Sequence, residues 1–359
     1  MKPKPFFSEK LLEWFATNHR PMPWKGEKNP YLVWLSEIIL QQTTVRQGLP
    51  YFERFAERYP SVNALADAPE DDVMKLWEGL GYYSRARNLH ATAKHIAHEL
   101  SGSFPTSYEG LLTLKGVGSY TAAAIASFAF GLPCAVVDGN VYRVLARYFG
   151  VEDAIDLPSS KRFFTELANE LLGKNDPADF NQAIMDFGAT HCTPANPNCK
   201  NCNLATKCVA FLENKVNILP IKNKKIEKKE RFFNYLIINS DKFVFIKKRL
   251  EKDIWQNLYE FPLIETANLV ENLSNSHENT AFTEGVLALK NFKFIKKSQP
   301  QKQLLTHRKI IATFWELQAD NDFVLNNSEY LKIERKNLKN FAFPKVIDLY
   351  LQEKVLTLF

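Results

Sequence analysis

Four of the five cysteines of this chain lie between residues 192 and 208, and this cluster constrains the fold more than any other feature. Cys192, Cys199, Cys202 and Cys208 are separated by six, two and five residues. Four thiolates in one short loop can close around a single tetrahedral metal ion or an iron–sulfur cubane. The inner gap suits zinc, but the outer gaps are not those of ordinary zinc modules. The spacing therefore predicts a metal-binding loop rather than a disulfide framework.

Length and composition limit the class of protein. A chain of 359 residues is expected to form two domains, and 45% hydrophobic residues with 24% charged ones exclude long disorder. The net charge of +6 favours a phosphate-bearing partner only slightly. No apolar run is long enough to span a bilayer and no signal-peptide core follows the N-terminus, so we expect a cytoplasmic, nucleoid-associated protein of the bacterial type without a membrane partner.

The hydrophobic pattern changes character along the chain. The pattern of residues 7–213 predicts helices separated by short turns that contain Gly, Pro and Asn. The run 31–40 after Asn29-Pro30 is apolar on nearly every side, which predicts a buried helix. Residues 222–231 are rich in lysine and fit a solvated linker. Strand-like runs follow at 232–239, 243–248 and 310–317, with a helical one at 344–353. We therefore expect a mainly α region followed by an α+β domain.

A glycine-rich turn at residues 114–121 separates two helical patterns. Gly116 and Gly118 would let the backbone approach a phosphate, and the next helix would offer free N–H groups. Such contacts hold a DNA backbone without reading its sequence. An ordinary tight connection between helices would look the same, so the turn alone is weak evidence.

Two carboxyl groups are candidates for acid–base chemistry. Glu37 is the only acidic or basic residue in the apolar helix 31–40, and burial without a partner would raise its pKa and keep it protonated. Asp138 stands immediately before the helical run 141–149, where free N–H groups and the helix dipole would favour its ionised form. A simple N-cap is the alternative for Asp138. Carboxyls with opposed pKa shifts are the arrangement that cleaves glycosidic bonds.

The turn, the downstream aspartate and the cysteine loop occur in an order that resembles the endonuclease III superfamily of helix–hairpin–helix DNA glycosylases, and within it the MutY family of adenine glycosylases. The matching segments are 23–24, 34–43, 79–85, 116–120 and 137–140. The resemblance implies a helix–hairpin–helix glycosylase fold with a 4Fe-4S cluster held by Cys192, Cys199, Cys202 and Cys208. It also implies an α+β Nudix-like domain after the helical one.

The implied domain limits are a helical catalytic region at 1–215, a basic linker at 216–231 and a Nudix-like mismatch-recognition domain at 232–359. Within the first region, a six-helix part covers about 22–131 and an iron–sulfur part combines 1–21 with 132–215.

The resemblance also assigns roles to individual residues. Glu37 would act as the acid and Asp138 as the stabiliser of the sugar, with help from Tyr120 and Asn140. The other implied site residues are Gln42, Thr43, Tyr82, Gly116, Val117 and Gly118 for DNA contacts, Trp24, Leu40 and Gln182 for the adenine pocket, and Leu305, Thr306 and His307 for 8-oxoguanine.

The sequence departs from the family pattern in two places. Lys25 follows Pro-Trp where relatives often carry arginine, so the bidentate fork is lost. Leu305-Thr306-His307 takes the place of a Phe-Ser-His loop, which keeps a hydroxyl and removes an aromatic contact. The second domain contains Trp255 and Tyr259-Glu-Phe-Pro262, similar to the MutY module, but no acidic Nudix box, so phosphohydrolysis is not expected.

We therefore expect a monomeric, monofunctional adenine glycosylase of base excision repair that acts on double-stranded DNA with A:8-oxoguanine or A:G mispairs. The first alternative is a bifunctional endonuclease III-like glycosylase and lyase for oxidised pyrimidines. Its Schiff-base lysine would stand where this chain has Tyr120, since Lys115 lies five residues earlier. The second alternative is a non-catalytic iron–sulfur protein that binds DNA.

Overall fold

A computed structural model describes residues 3–223, 228–271, 292–320, 323, 325 and 328–356. The chain forms two compact units, one of residues Met1–Asp67 and Asn88–Lys225, the other of Ala68–Arg87 and Ile226–Phe359. We call them unit 1 and unit 2. Residues 224–227 of the expected basic linker lie outside the described residues, and so do parts of the expected second domain. The domain limits expected from the sequence stay predictions.

Helices build unit 1, as the periodicity of residues 7–213 predicted. Helix α2 (Pro30–Leu40) begins where Asn29 accepts a hydrogen bond from the Tyr31 N–H at 3.0 Å, and it is buried on nearly every side. This confirms the predicted start and the predicted burial of that helix. The other helices up to residue 212 are α1 (Pro3–Asn18), α3 (Val45–Arg58), α4 (Val62–Ala66), α5 (Glu70–Leu76), α6 (Ser84–Glu99), α7 (Tyr108–Leu112), α8 (Ser119–Phe128), α9 (Gly139–Phe149), α10 (Pro158–Leu172), α11 (Pro177–Thr190) and α12 (Val209–Leu212), of which α5 and the start of α6 belong to unit 2.

A hydrophobic core joins α1, α9, α10 and α11. Phe7 and Leu11 of α1 pack with Phe164 of α10 and Phe180 of α11, and all four side chains are fully buried. The loop between α11 and α12 contains two 3₁₀ turns, Cys199–Asn201 and Ala205–Lys207, and three of its cysteines pack against this core. None of the helices in the described part of the chain is long and apolar enough to cross a bilayer.

A mixed sheet forms the centre of unit 2. The strand order is β3-β2-β1-β7-β5, with β4 beside β1, β6 beside β7 and β8 beside β2. Strands β1 and β7 run parallel, and the other pairings are antiparallel. The strands are β1 (Lys229–Ser240), β2 (Phe243–Lys248), β3 (Tyr259–Glu260), β4 (Leu263–Thr266), β5 (Phe292–Lys297), β6 (Gln301–Leu304), β7 (Arg308–Ala319) and β8 (Tyr330–Glu334), followed by a 3₁₀ turn (Arg335–Asn340) and helix α13 (Lys345–Leu356).

The predicted hairpin at Ser240-Asp241 is confirmed, with Asp241 in the left-handed region at φ 52°. Strand β1 begins at Lys229, so the strand already includes the end of the lysine-rich run. Strands β5 and β6 both pair with β7, and residues 305–307 connect β6 to β7 as the tip of a hairpin. The three residues of the expected recognition loop are therefore held between two paired strands.

Gly150 is the C-cap of helix α9, and we expect it to contribute to the free energy of unfolding. It has φ 69°, and a Cβ atom there would lie 2.4 Å from Val209 Cγ1. Gly131 has φ 65° at the end of α8, but its added Cβ would meet no atom within 4 Å. We predict that Gly131→Ala costs about 1 kcal/mol from backbone strain alone, whereas Gly150→Ala costs roughly 2–4 kcal/mol because a steric clash is added.

Urea unfolding of both variants checks this prediction. Because both substitutions add the same methyl group at a left-handed glycine, the difference between them isolates the contact with Val209. Equal losses for the two variants would contradict it.

Candidate active site

Glu37 lies on α2 and is buried, with 6% of its surface exposed. Burial raises the pKa of its carboxyl to about 7, and the charge of Asp138 adds to the rise. The Tyr120 hydroxyl hydrogen-bonds to the carboxyl and opposes the rise in its pKa. The expectation of a raised pKa is confirmed, but the expectation that Glu37 has no partner is wrong. Sequence periodicity cannot reveal a partner that α8 supplies from 83 residues further along the chain.

Tyr120 lies in the first turn of α8. Burial raises the pKa of its hydroxyl well above the usual range, and the charges of Glu37 and Asp138 raise it further. The hydroxyl therefore keeps its proton and donates it in a hydrogen bond to the Glu37 carboxylate. Since each of these two carboxyl groups shifts the pKa of Tyr120, all three side chains belong to one electrostatic site.

Asp138 is the N-cap of α9. Its Oδ1 accepts hydrogen bonds from the backbone N–H groups of Asn140 and Val141, both at 2.8 Å, and its Oδ2 accepts one from Asn140 Nδ2 at 2.8 Å. Burial nevertheless raises the pKa of Asp138, because it outweighs these hydrogen bonds and the attraction of Arg143. The predicted cap is confirmed, whereas the predicted opposition of the two pKa shifts is wrong. A cap lowers the pKa of a carboxyl only where its hydrogen bonds outweigh the effect of burial.

Arg143 is a site residue that sequence reasoning missed. Its Nη2 donates to Asn140 Oδ1 at 2.8 Å and to the Gly188 carbonyl at 2.7 Å, and its Nε donates to the Cys192 carbonyl at 2.8 Å. One guanidinium therefore connects the Asp138–Asn140 cap with the start of the cysteine loop. The available signal was its spacing, three residues after Asn140 on the same face of the helix.

The predicted hairpin connects α7 with α8. Gly116 has φ 80°, and a Cβ atom there would lie 2.8 Å from Asn88 Cβ, so only glycine fits. Gly118 is the N-cap of α8 and no side chain caps the helix there. The turn is held by a hydrogen bond from the Val117 N–H to the Leu114 carbonyl at 3.0 Å. The first N–H groups of α8 can therefore reach an anion in front of the turn.

Gln42 occupies a strained position directly after α2. It is exposed and has φ 53°, an unusual conformation for a residue with a long side chain. The neighbouring Thr43 is half-buried, with its hydroxyl 3.2 Å from the Gln41 carbonyl. A strained and exposed amide is typical of a functional contact rather than of a structural turn.

Two of the residues expected in the adenine pocket line one cavity. Trp24 and Gln182 both border a cavity of about 540 Å³, whereas Leu40 and Glu37 are not among the described residues around it. Lys25 also borders it, but its Nζ lies 2.5 Å from Asp186 Oδ2. Asp186, which sequence reasoning missed, is fully buried and also accepts a hydrogen bond from Arg20 Nη2 at 2.6 Å. Lys25 is thus bound to a carboxylate within the fold.

Unit 2 brings together two residues that the sequence analysis treated separately. The hydroxyl oxygens of Tyr82 and Thr306 are 2.8 Å apart. Tyr82 has φ 49° and 46% of its surface exposed. The 305–307 loop is closed by a hydrogen bond from the Leu305 N–H to the Arg308 carbonyl at 2.8 Å, and His307 is exposed. The hydroxyl that replaces serine in this loop therefore contacts an aromatic side chain that comes from residues 68–87.

The four clustered cysteines line one cavity of unit 1, together with Arg147 and His191. Arg147 Nη1 lies 3.4 Å from Cys192 Sγ and donates to the Thr193 carbonyl at 2.8 Å. Within the described residues, no three His, Cys, Asp or Glu side chains come close enough together to hold one metal ion. Thiols spread around a cavity fit a cubane, whose four irons take one thiolate each, better than they fit a single tetrahedral zinc. The buried arginine beside them suits a thiolate-ligated group.

Comparison with known proteins agrees with this architecture. Residues 35–171 match the HhH-GPD superfamily of base excision DNA repair proteins, and residues 234–353 match the NUDIX domain. The solved structure of a thermostable thymine-DNA glycosylase is 30% identical, covers 59% of this chain and 98% of its own, and superposes with a TM-score of 0.56. The fold and the site therefore define a helix–hairpin–helix base excision repair protein.

The curated relatives narrow the class. Over 264 residues, the chain is 40% identical to the adenine DNA glycosylase of Buchnera aphidicola from Schizaphis graminum, which covers 72% of this chain and 75% of the relative. Over 290 residues it is 37% identical to the adenine DNA glycosylase of the Baizongia pistaciae strain, which covers 80% of this chain and 81% of the relative. The chain belongs to the adenine DNA glycosylase family.

The raised pKa of Glu37 has a consequence for stability. Its pKa moves from an ordinary 4.5 to about 7 in the folded protein, so the folded state binds the proton more tightly than the unfolded state. The stability of the native protein should therefore fall as the pH rises from 4.5 to 7, because folding then buries a carboxylate. We predict that Glu37→Gln is more stable than the native protein at pH 8 by up to roughly 3 kcal/mol, and that this advantage disappears near pH 4.

Urea unfolding of the two proteins at pH 4, 6 and 8 measures this difference. Comparing them at the same pH cancels the titration of the groups that do not interact with Glu37. A difference that does not change with pH would contradict a raised Glu37 pKa.

Proposed function

We propose that this protein is a monofunctional adenine glycosylase that hydrolyses the N-glycosidic bond of adenine mispaired with 8-oxoguanine or guanine in double-stranded DNA. The observation that carries the proposal is the buried Glu37–Tyr120 pair in the electrostatic site of Asp138. The pKa of the Glu37 carboxyl is about 7, so this side chain can carry a proton near neutral pH. A buried acid beside a second carboxyl is the arrangement that glycosidic cleavage requires.

The reaction divides between the two carboxyls. Glu37 donates its proton to a ring nitrogen of the flipped adenine while the bond from the base to C1′ of the sugar breaks and its electron pair goes to the base. The ionised Asp138 carboxylate stabilises the positive charge that develops on the sugar. Water then adds to C1′ and gives up a proton to the Glu37 carboxylate. The products are free adenine and an abasic site, and the enzyme regains its starting state.

Tyr120 and Asn140 assist as hydrogen-bond donors. The Tyr120 hydroxyl holds the Glu37 carboxyl in place, and Asn140 Nδ2 holds Oδ2 of Asp138 at 2.8 Å. Both donors favour the carboxylate form of their partner. They therefore lower the cost of the ionised states through which the reaction passes, and they fix the direction of each lone pair.

We propose that the protein has no lyase activity, and the cation at the site supports this. The positive charge that acts on Asp138 belongs to Arg143, and a guanidinium stays protonated and forms no Schiff base. Tyr120 occupies the hairpin position where a lyase would need a lysine. We therefore expect the abasic product to be released with an intact backbone.

Each unit contributes DNA contacts to the proposal. In unit 1, residues 116–118 and the N-terminus of α8 bind a phosphate, and Gln42 and Thr43 enter the gap left by the flipped base. In unit 2, Tyr82 stacks between bases, which is supported by its exposure and its left-handed backbone. Trp24 and Gln182, which border one cavity, would contact the adenine, and Leu40, which lies outside that cavity on the helix of Glu37, would contact it only from the side of the acid.

The proposal includes recognition of the base opposite the adenine by residues 305–307. The Thr306 hydroxyl can donate or accept a hydrogen bond. The Tyr82 hydroxyl, whose oxygen lies 2.8 Å from that of Thr306, holds it in position. Leu305 supplies apolar contact on one side of it and His307 an exposed imidazole on the other. A hydroxyl next to an imidazole suits a base edge that gains both an N–H and a carbonyl on oxidation, as guanine does in forming 8-oxoguanine.

We also propose that Cys192, Cys199, Cys202 and Cys208 hold a 4Fe-4S cluster. The support is a thiol-lined cavity with Arg147 beside Cys192 Sγ at 3.4 Å. The cluster would cross-link the loop that follows α11 and so hold its basic surface toward DNA. Anaerobic purification should give a brown protein with four irons per chain on average, and colourless protein that binds zinc would contradict this proposal.

Cleavage of a duplex panel tests the function. We predict alkali-dependent strand cleavage of duplexes with A:8-oxoguanine and A:G, and no cleavage of duplexes with thymine glycol or a G:T mispair. Strand breaks without alkali would favour the bifunctional alternative, and removal of thymine would favour the activity named for the solved thymine-DNA glycosylase. Glu37→Gln is the control, since it should bind the A:8-oxoguanine duplex while its excision rate falls at least ~100-fold.

The hairpin offers an independent prediction. An added Cβ at Gly118 would meet no atom within 4 Å, so both Gly118→Asp and its neutral isostere Gly118→Asn should fold normally. We predict that the aspartate variant binds duplex DNA about tenfold more weakly than the asparagine variant at low salt, because its charge repels the phosphate. The difference should shrink as salt is raised, since exposed charges are screened. Equal affinities in fluorescence anisotropy titrations would refute a phosphate contact at this turn.

A further inference from the structure

Two cations face each other at one end of the unit 2 sheet. Lys229 opens β1, Arg308 opens β7, and the two residues are register partners in this parallel pair. Neighbouring strands lie about 4.8 Å apart, so partner side chains on one face are in direct reach of each other. Like charges placed opposite each other destabilise a sheet. Two cations held this close together could share one anion.

The described residues supply no acid that neutralises this pair. No carboxylate oxygen of the described chain lies within 4.0 Å of the Lys229 or Arg308 nitrogens. The adjacent Glu230 is bound to Lys309, with Nζ and Oε1 2.6 Å apart. The Arg308 side chain donates a hydrogen bond from Nη1 to the His307 carbonyl at 3.1 Å. Two positive side chains therefore remain without a negative partner in this part of the molecule.

The pair lies at the base of the recognition loop. The Lys229 N–H donates to the His307 carbonyl at 3.2 Å, and Arg308 is the residue directly after the loop. Thr306, two residues before Arg308, contacts the Tyr82 hydroxyl at 2.8 Å. The two cations therefore lie next to the three-residue turn that carries the side chains expected to contact the opposite base.

We propose that Lys229 and Arg308 together bind one backbone phosphate of the DNA strand that carries the base opposite the adenine. This inference rests on the proposed function and adds an anion site that fixes the depth and register of the loop against that strand. Arginine supplies a planar fork for two phosphate oxygens, and lysine supplies a point charge from the neighbouring strand. The lysine-rich run 222–231, expected to be a solvated linker, then ends in a DNA contact.

The first test is the salt dependence of binding. The probe is a duplex with 8-oxoguanine opposite a 2′-fluorinated adenosine, which resists cleavage because the fluorine destabilises a positively charged sugar. Each phosphate neutralised by a protein contributes about 0.9 to the slope of log affinity against log salt. We expect the double variant Lys229→Gln/Arg308→Gln to lose about one unit of slope and about tenfold in affinity at low salt.

The matched control removes two charges at the other end of the same sheet. Lys242 and Lys336 both bind Glu334, at 3.2 and 2.7 Å, beyond the far end of β1. Lys242→Gln/Lys336→Gln changes the net charge equally but should leave the slope unchanged. Equal loss of slope in both double variants would overturn the proposal, because it would show only a general charge effect. Thermal unfolding checks the fold, since relief of the repulsion should leave the melting temperature of Lys229→Gln/Arg308→Gln unchanged or higher.

The second test locates the phosphate. Neutral methylphosphonates are placed singly along the strand with 8-oxoguanine, and binding is measured for the native protein and the double variant. We expect one position at which the native protein loses affinity and the double variant does not, since both changes remove the same contact. Additive losses at every position would overturn the proposal. Failure of the native protein to release adenine from the unmodified mispair would instead sink the proposed function, and the methylphosphonate pattern would still report on the contact.

Discussion

The arrangement of unit 1 depends on two buried arginines along α9. Arg143 donates to the carbonyls of Gly188 and Cys192, and Arg147 donates to those of Thr193, Pro194 and Leu219. The backbone of an irregular loop carries carbonyl groups that must find donors when it is buried. Two guanidinium groups, each with five N–H donors, meet this need from a single helix. The same helix begins at Asp138, so the Asp138 cap and the cysteine loop are held by side chains of one helix.

Close packing makes this element possible. A Cβ atom at Gly188 of α11 would lie 2.7 Å from Asn140 Cβ and 3.0 Å from its carbonyl oxygen. Any larger residue would push α11 away from α9 and pull the Gly188 carbonyl from Arg143. Since the Arg143 side chain also holds Asn140, the displacement would reach the Asp138 carboxylate. The position of the Asp138 carboxylate therefore depends on a glycine on another helix.

Local signals in the sequence predicted much of this architecture. The apolar run after Asn29-Pro30, the cap at Asp138 and the hairpin at Gly116–Gly118 each follow from neighbouring residues, and the structure confirms them. The contacts between side chains from distant segments could not be predicted from these local signals. The partner of Glu37 comes from α8, that of Lys25 is Asp186 of α11, and that of Thr306 is Tyr82. Helical periodicity tells which face of an element is buried, but it does not tell which side chain lies opposite.

The pKa of Asp138 shows why such links matter for the chemistry. A helix cap predicts a lowered pKa, but burial raises it, so the two carboxyls of the site do not shift in opposite directions. The proposed division of roles between Glu37 and Asp138 rests instead on the difference between their hydrogen bonds. Asp138 accepts three hydrogen bonds and feels the charge of Arg143, whereas the recorded hydrogen-bond donor to Glu37 is the Tyr120 hydroxyl.

The two carboxyls are also coupled, since the charge on Asp138 raises the pKa of Glu37. In the proposed mechanism, the ionised Asp138 that would stabilise a positive sugar is therefore the same state that keeps the proton on Glu37. When the sugar becomes positive, it offsets the Asp138 charge, and the hold of Glu37 on its proton weakens at the moment at which the base requires it. In the proposed mechanism, proton transfer and bond cleavage therefore reinforce each other through one electrostatic interaction, between Glu37 on α2 and Asp138 at the start of α9.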